Sequence, residues 1–238
     1  MSDTINRPKN KQLAPADGRD GGHTENERLA DRAYRQILDL ILTGEAKPGE
    51  ALNERRLGEI LNMSRTPVRD ALLMLETEGL IARHGRLGVQ IREMRIDEYV
   101  DALQIRMILE PAVARMAAGR VATADLDALD AILQDALAGA LAGRAADRSQ
   151  TRLVDERLHG LISDSAGNPQ LTQIVRNLRR KTQVFDLRNL PERAVDACRE
   201  HLEIVDALRD ADGERAAQAM TRHLEQVRAS ILARLSGA

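Results

Sequence analysis

The chain has 238 residues, enough for two compact domains, with 30% charged residues and a net charge of −2. So even a balance excludes nucleic-acid binding through a global basic field and leaves only a local cluster for it. With no Trp, and Tyr34, Tyr99 and Phe185 as the aromatic residues, a core must come from Leu, Ile, Val, Ala and Met, which points to helices.

The single Cys198 excludes an internal disulfide and fits a reducing compartment. No apolar run approaches the ~20 residues of a membrane span, and the N-terminal stretch lacks a signal-like apolar region. A soluble, cytoplasmic protein without membrane contact is expected.

Residues 1–26 hold Pro8, Pro15, three Gly, and Ile5 and Leu13 as the large apolar residues after Met1. They cannot bury enough surface to offset their ordering entropy, so a disordered tail is expected. A helix over 27–42 follows, with Leu29, Ala33, Ile37, Leu40 and Ile41 on one stripe. Thr43-Gly44 ends it and Lys47-Pro48-Gly49 turns the chain. Asn53 is placed to cap a second helix reaching Leu61, Asn62-Met63 makes a turn, and Ser64 is placed to cap a third. Pro67 is tolerated in that helix's first turn. Val68, Leu72 and Leu75 form its inner face, and Gly79 ends it. Residues 80–83 and 88–91 can pair as a hairpin with His84-Gly85-Arg86 at the tip. The order helix, helix, helix, hairpin is that of a winged helix-turn-helix.

Arg65 and Arg69 are four residues apart and therefore project from one face of the third helix. Either can fork onto guanine O6 and N7 in a major groove. Thr66 can reach a phosphate or a thymine methyl, and the helix N-terminus offers amide donors to phosphate, with Ser64 beside them. Arg55 approaches from the second helix. Arg83, His84 and Arg86 make the hairpin a backbone or minor-groove reader, where Gly85 permits close approach. The competing account is a helical hairpin with solvated arginines, which the nearly balanced charge of residues 49–92 would suit.

From Ile96 onward the pattern is helical throughout: 97–119, 123–142, 146–165, 169–187, 191–209 and 213–236, separated by short Gly- and Pro-containing loops. Short connections favour an antiparallel bundle. Asp155 and His159, four apart, share a helical face with Leu158 and Ile162. His201 and His223 sit on the inward stripes of the last two helices. Three imidazoles and a carboxylate from three helices suit Zn²⁺, Ni²⁺ or Mn²⁺, with positions left for water or a ligand. Each histidine taken singly is equally a satisfied core residue. Arg106 has two readings: a surface i,i+4 pair with Glu110, or a guanidinium turned into the bundle to hold a carboxylate.

Residues 27–92 resemble the N-terminal domain of the GntR family of bacterial transcription regulators. The resemblance is carried by Lys47-Pro48-Gly49-Glu50, Glu54-Arg55-Arg56-Leu57, Ser64-Arg65-Thr66-Pro67-Val68-Arg69-Asp70-Ala71-Leu72 and Leu75-Glu76-x-Glu78-Gly79-Leu80. It implies that Arg55, Arg65, Thr66, Arg69 and Gly85 touch an operator. Residues 97–238 resemble the FCD domain of the FadR branch, whose metal motif Asp155, His159, His201 and His223 match one for one. The Ala166-Gly167-Asn168-Pro169 segment and the Arg106…Glu110 pair also fit, and six helices lean toward the shorter, VanR-like subgroup. In such domains an arginine at the place of Arg106 commonly meets an organic acid that also ligates the metal.

The expected architecture is mainly α. A tail (1–26) precedes a winged helix-turn-helix of three helices and a two-stranded wing (27–94), joined to an all-α bundle of about six helices (95–238). The expected function is a nucleoid-associated, homodimeric repressor reading an inverted-repeat operator under control of a small carboxylic acid at a metal site. The rival is a metal-dependent enzyme or a metal sensor using the same Asp/His set. It lacks a Ser-His, Cys-His or His-Glu-x-x-His constellation.

Overall fold

The structure is a computed structural model that describes residues 20–84, 88–144, 148–184 and 191–236. Its N-terminal part contains α1 (Asp20–Thr43), β1 (Ala51–Leu52), α2 (Glu54–Leu61), α3 (Arg65–Thr77), β2 (Ile81–Arg83) and β3 (Val89–Ile91). The helix starts seven residues before the periodicity places it, because the charged first turns add nothing to the apolar stripe. The rest of the expected tail lies outside the described residues.

Asn53 caps α2 as expected: its Oδ1 accepts from the backbone N–H groups of Arg55 at 2.9 Å and Arg56 at 3.1 Å. Asn62 is left-handed (φ 51°), which lets Met63 N–H reach Gly58 O at 2.9 Å. A Cβ on Gly58 would stand 2.9 Å from the Met63 carbonyl oxygen, so the turn requires glycine there. Ser64 occupies the N-cap position of α3, but its side chain makes no capping hydrogen bond. The seal comes instead from Pro67 and Val68, both buried in the first turn. The wing gains a strand over the two-stranded expectation: β1 pairs antiparallel with β3, giving the order β1-β3-β2. A two-residue strand has no alternation to betray it in sequence. Ala33, Ile37, Leu57, Val68, Ala71, Leu72, Leu75, Leu80, Ile81 and Ile91 close the first core.

The remainder is helical: α4 (Ile96–Ala117), α5 (Thr123–Leu141), α6 (Arg148–Ser165), α7 (Pro169–Val184), α8 (Ala194–Arg209) and α9 (Gly213–Ser236). A 3₁₀ turn, Pro191–Arg193, takes the first residues expected of α8. The last three residues expected of α7 lie outside the described residues. α4 packs against α9, α7 and α6, while α5 and α9 flank α8. Leu103, Val113, Leu129, Leu133, Leu158, Ile162, Val205, Met220 and Leu224 form the second core. No described helix is long and apolar enough to cross a membrane.

α7 also faces the first core. Glu78, the residue that closes α3, accepts from Tyr34 Oη at 2.7 Å and from Arg180 Nη1 at 2.8 Å. The Arg180 guanidinium lies 5.5 Å from the centroid of the Tyr34 ring. Burial and then the bond to Glu78 push the Tyr34 phenol upward. Beside this clasp, Gly79 (φ +73°) lets the Lys181 stem approach within 3.6 Å of where a Cβ would stand. A second cross-link joins Arg152 of α6 to Asp39 of α1 at 2.7 Å.

Replacing Glu78 removes the acceptor of two charge-linked hydrogen bonds at once. Glu78→Ala is expected to lower unfolding stability by about 2 kcal/mol. Urea denaturation checks this, and an unchanged midpoint would show that the clasp contributes nothing.

Candidate functional site

Asp155, His159, His201 and His223 come together inside the bundle, each offering a ligand atom within 4.8 Å of the others. The centroid of the His159 ring lies 5.9 Å from that of His201 and 5.4 Å from that of His223. The latter two are 4.7 Å apart. α6 supplies the first two residues on one face, and α8 and α9 supply one imidazole each. All three rings are buried.

Their tautomers follow from their neighbours. His159 Nδ1 lies 2.5 Å from Glu110 Oε2, and His223 Nδ1 lies 2.8 Å from Glu200 Oε2. Burial alone would push both carboxyls up. Arg106, His159 and Arg179 together outweigh it and hold Glu110 well below the usual carboxylate range. His223 and Arg193 do the same, to a lesser degree, for Glu200. An ionised carboxylate can only accept, so each Nδ1 carries the hydrogen and each Nε2 keeps its lone pair. Burial, with Arg179 second, lowers His159 to about 4. Burial, with His223 second, lowers His201 to about 3. Burial likewise lowers His223, so all three rings are neutral near pH 7.

The three Nε2 atoms are buried without a hydrogen-bond partner. An isolated orphan of this kind is costly, and three converging ones call for a shared acceptor of lone pairs. A divalent metal ion is such an acceptor, and the carboxylate–imidazole pairs are the outer support such ligands use. Asp155 fits the set: its Oδ1 is 3.5 Å from His159 Nε2 and 3.9 Å from His201 Nε2. Atoms sharing an ion at about 2.1 Å are at most about 4.2 Å apart, so the donors need to close only slightly.

Helical spacing alone picks out these four residues but not the groups that support them. In sequence Glu110 stands out only as a partner of Arg106. Glu200 adjoins His201 yet serves His223, and Arg179 was not singled out. Arg106 turns out to form the expected i,i+4 pair, but fully buried: its Nε donates to Glu110 Oε1 at 2.5 Å and its Nη1 to Thr182 Oγ1 at 3.0 Å. Arg179 Nη2 donates to Asp155 Oδ2 at 2.6 Å. Cys198 is half-buried and takes no part in the cluster; burial pushes its thiol upward.

The second candidate surface is the outer face of α2 and α3. Arg55, Ser64, Arg65, Thr66 and Arg69 are all exposed there. Glu54 Oε2 lies 3.6 Å from Arg65 and 3.2 Å from Arg69, and Arg55 is 3.9 Å from Glu59. The basic face is thus partly neutralised by its own carboxylates. At the wing, His84 N–H donates to Gly88 O at 2.8 Å, and Arg83 pairs with Glu76 at 2.9 Å. Gly85 and Arg86 lie outside the described residues.

Comparison with known proteins places both regions. Residues 29–91 match the profile of the bacterial regulatory proteins of the gntR family, and residues 101–226 match the FCD domain. The HTH-type transcriptional repressor RspR of Escherichia coli K12 is 28% identical over 211 residues, spanning 87% of this chain and 88% of that protein. The Nta operon transcriptional regulator of Aminobacter aminovorans is 26% identical over 192 residues, spanning 81% and 89%. Among solved structures, E. coli McbR/YncC superposes with a TM-score of 0.74 at 21% identity, covering 87% of this chain and 98% of that one. A GntR regulator from Rhodococcus sp. RHA1 superposes at 0.66 and 20% identity, covering 85% and 97%. These two share the fold.

The neutral rings make the metal-free protein sensitive to acid. The folded rings stay neutral down to about 4 for His159 and about 3 for His201, whereas unfolded histidines take up protons below about pH 6.5. Stability is therefore complete above that pH and is lost as pH falls from there toward 4, by up to about 1.4 kcal/mol per unit for each ring. Urea unfolding of chelator-treated protein at pH 7.5 and 5.5 checks this, and equal stabilities would contradict the neutral assignment.

Proposed function

The chain belongs to the gntR family of bacterial regulatory proteins, with an FCD domain after its helix-turn-helix, and from that we propose how its binding to DNA is controlled. It is a transcriptional regulator rather than an enzyme. On our reading it is a repressor whose operator affinity is set by a small carboxylic acid bound at a divalent metal in the helical bundle. Residues 27–94 form the DNA-binding domain, and 95–238 the effector-binding and dimerisation domain.

The observation that carries the metal reading is the convergence of three unpartnered Nε2 atoms with the Asp155 carboxylate. Asp155, His159, His201 and His223 would hold the ion, with Zn²⁺, Ni²⁺ and Mn²⁺ all compatible with these donors. A divalent ion there supplies a Lewis-acid anchor for a carboxylate. The buried Arg106 supports an anionic effector, since it places a guanidinium beside the cluster.

For DNA, Arg55, Ser64, Arg65, Thr66 and Arg69 would enter the major groove, with His84, Gly85 and Arg86 of the wing beside it. Their exposure supports this, as does the loose hold of Glu54 on Arg65 and Arg69, which a phosphate or a guanine can displace. A homodimer would present two such faces to an inverted repeat. Ile105 and Ile108, one turn apart on α4, are 43% and 73% exposed and give a second copy apolar surface to cover. RspR, a relative named as a repressor, supports the sign of regulation.

Control runs through α7. Arg179 and Thr182 face the cluster while Arg180 holds Glu78 at the end of α3. An acid that binds one placement of α7 better than another shifts the DNA-binding domain with it.

Two outcomes test this reading. Arg65→Ala with Arg69→Ala should weaken specific retention of genomic fragments by at least about 30-fold, from two lost base contacts; unchanged footprints would sink the recognition-face assignment. Elemental analysis should find one divalent ion per chain in the wild type and much less in His201→Ala. Chelation should abolish any effect of acids on operator binding, and an acid response that survives chelation would separate the effector from the metal.

A further inference from the structure

Arg179 is 5% exposed. Its Nη2 donates to the Asp155 carboxylate at 2.6 Å and to the Asp155 carbonyl at 3.2 Å. Its Nη1 is buried and has no hydrogen-bond partner. The acid facing that nitrogen is Glu110, whose Oε2 lies 3.6 Å away. Glu110 is already committed on both oxygens: Oε1 accepts from Arg106 and Oε2 from His159. A buried guanidinium donor beside the cluster, whose facing carboxylate is too distant for a hydrogen bond and already bonded on both oxygens, is placed to donate to an acceptor from outside.

Its position suits that purpose. Asp155 bridges Arg179 and the imidazoles, with Oδ2 on the arginine and Oδ1 toward His159 and His201. Arg106 donates through Nε to Glu110 and through Nη1 to Thr182, bracing α4 against α7.

Charge sets the ligand class. Arg106 and Arg179 are balanced by Glu110 and Asp155, and an imidazole that lends its lone pair to a metal is neutral by that fact. A divalent ion therefore leaves two positive charges uncompensated. Buried charge is retained only when paired. Two negative charges restore the balance, and a planar guanidinium is shaped for a carboxylate.

Resting on the metal-and-acid reading above, we propose that Arg179 is an effector-binding residue and that the effector is a small dicarboxylate. One carboxylate meets the metal and the other the Arg179 guanidinium. Arg106 keeps the supporting carboxylate Glu110 in place.

The test uses full-length protein loaded with Co²⁺, whose visible bands report the metal's surroundings. Malonate, succinate and glutarate are titrated against propionate, butyrate and valerate, the mono-acids of equal length. In the wild type at least one diacid should reach half-saturation at a concentration about ten-fold or more below its mono-acid partner. Arg179→Lys keeps one donor for Asp155 and should still take up one Co²⁺ per chain while losing that preference. Arg179→Gln, which keeps a neutral donor, should behave alike.

An undiminished preference in both variants would overturn the role of Arg179. Loss of Co²⁺ together with the acid response would make Arg179 a positioning residue for Asp155 and overturn it too. Mono-acids binding the wild type as well as diacids would remove the dicarboxylate assignment, a result independent of whether the variants fold. Silence of the Co²⁺-loaded wild type toward both series would sink the metal-and-acid reading itself, and this inference with it.

Discussion

Glu110 is the constraint on which the helical domain turns. It is a fully buried carboxylate on α4, and burying an unpaired charge would be prohibitive. Three groups from three helices answer it: Arg106 from its own helix, His159 from α6 and Arg179 from α7. Each answer fixes something else. Arg106 reaches across to Thr182, which ties α4 to α7. His159 is locked with its proton on Nδ1, so its other nitrogen faces the cluster. Arg179 is drawn in beside Asp155 and sets which carboxylate oxygen faces the imidazoles. For stability alone, well-packed apolar residues would commonly serve as well or better. A charged network of this cost at the centre of a bundle is therefore read most economically as the housing of a binding site.

The DNA-binding face follows a different rule. Its charges are exposed, and Glu54 sits between Arg65 and Arg69 rather than under them. Pairs of that kind are worth little in water, so they do not commit the arginines. They do limit indiscriminate attraction to phosphate in a chain whose net charge is −2. At the start of α3, Pro67 and Val68 seat the helix in the core and leave Arg65, Thr66 and Arg69 outside.

What could be read from sequence divides along the same line. The first domain is built from local signals: the Asn53 cap, the αL turn at Asn62 and the apolar face of Val68, Leu72 and Leu75 each act within a few residues. Features without a local signature escaped, among them the first turns of α1, the two-residue β1 and the unused hydroxyl of Ser64. In the bundle, helical spacing sufficed to put Asp155 and His159 on one face and to turn His201 and His223 inward. It could not reveal that Glu200 serves His223 across 23 residues, because the register of α8 against α9 is set by packing. Nor could it separate the two readings of Arg106: an i,i+4 pair looks the same in sequence whether the surrounding face is wet or buried.

Adjacent residues of α7 show the limit most sharply, and also what it hides. Arg179 and Arg180 are chemically identical neighbours, yet a helix turns about 100° per residue, so they cannot share a face. The first lies beside the cluster of Asp155, His159, His201 and His223. The second lies over the Tyr34 ring with its guanidinium on Glu78, at the end of the helix that presents Arg65 and Arg69. Thr182, three residues after Arg179, returns to the buried side to receive Arg106. A single turn thus touches the buried Asp/His cluster on one side and the helix-turn-helix on the other. On the control proposed above, a shift imposed at Arg179 would carry to Arg180, because backbone hydrogen bonds hold the turn together. Coupling between the two domains needs no long chain of intermediates here: the two contacts lie one residue apart.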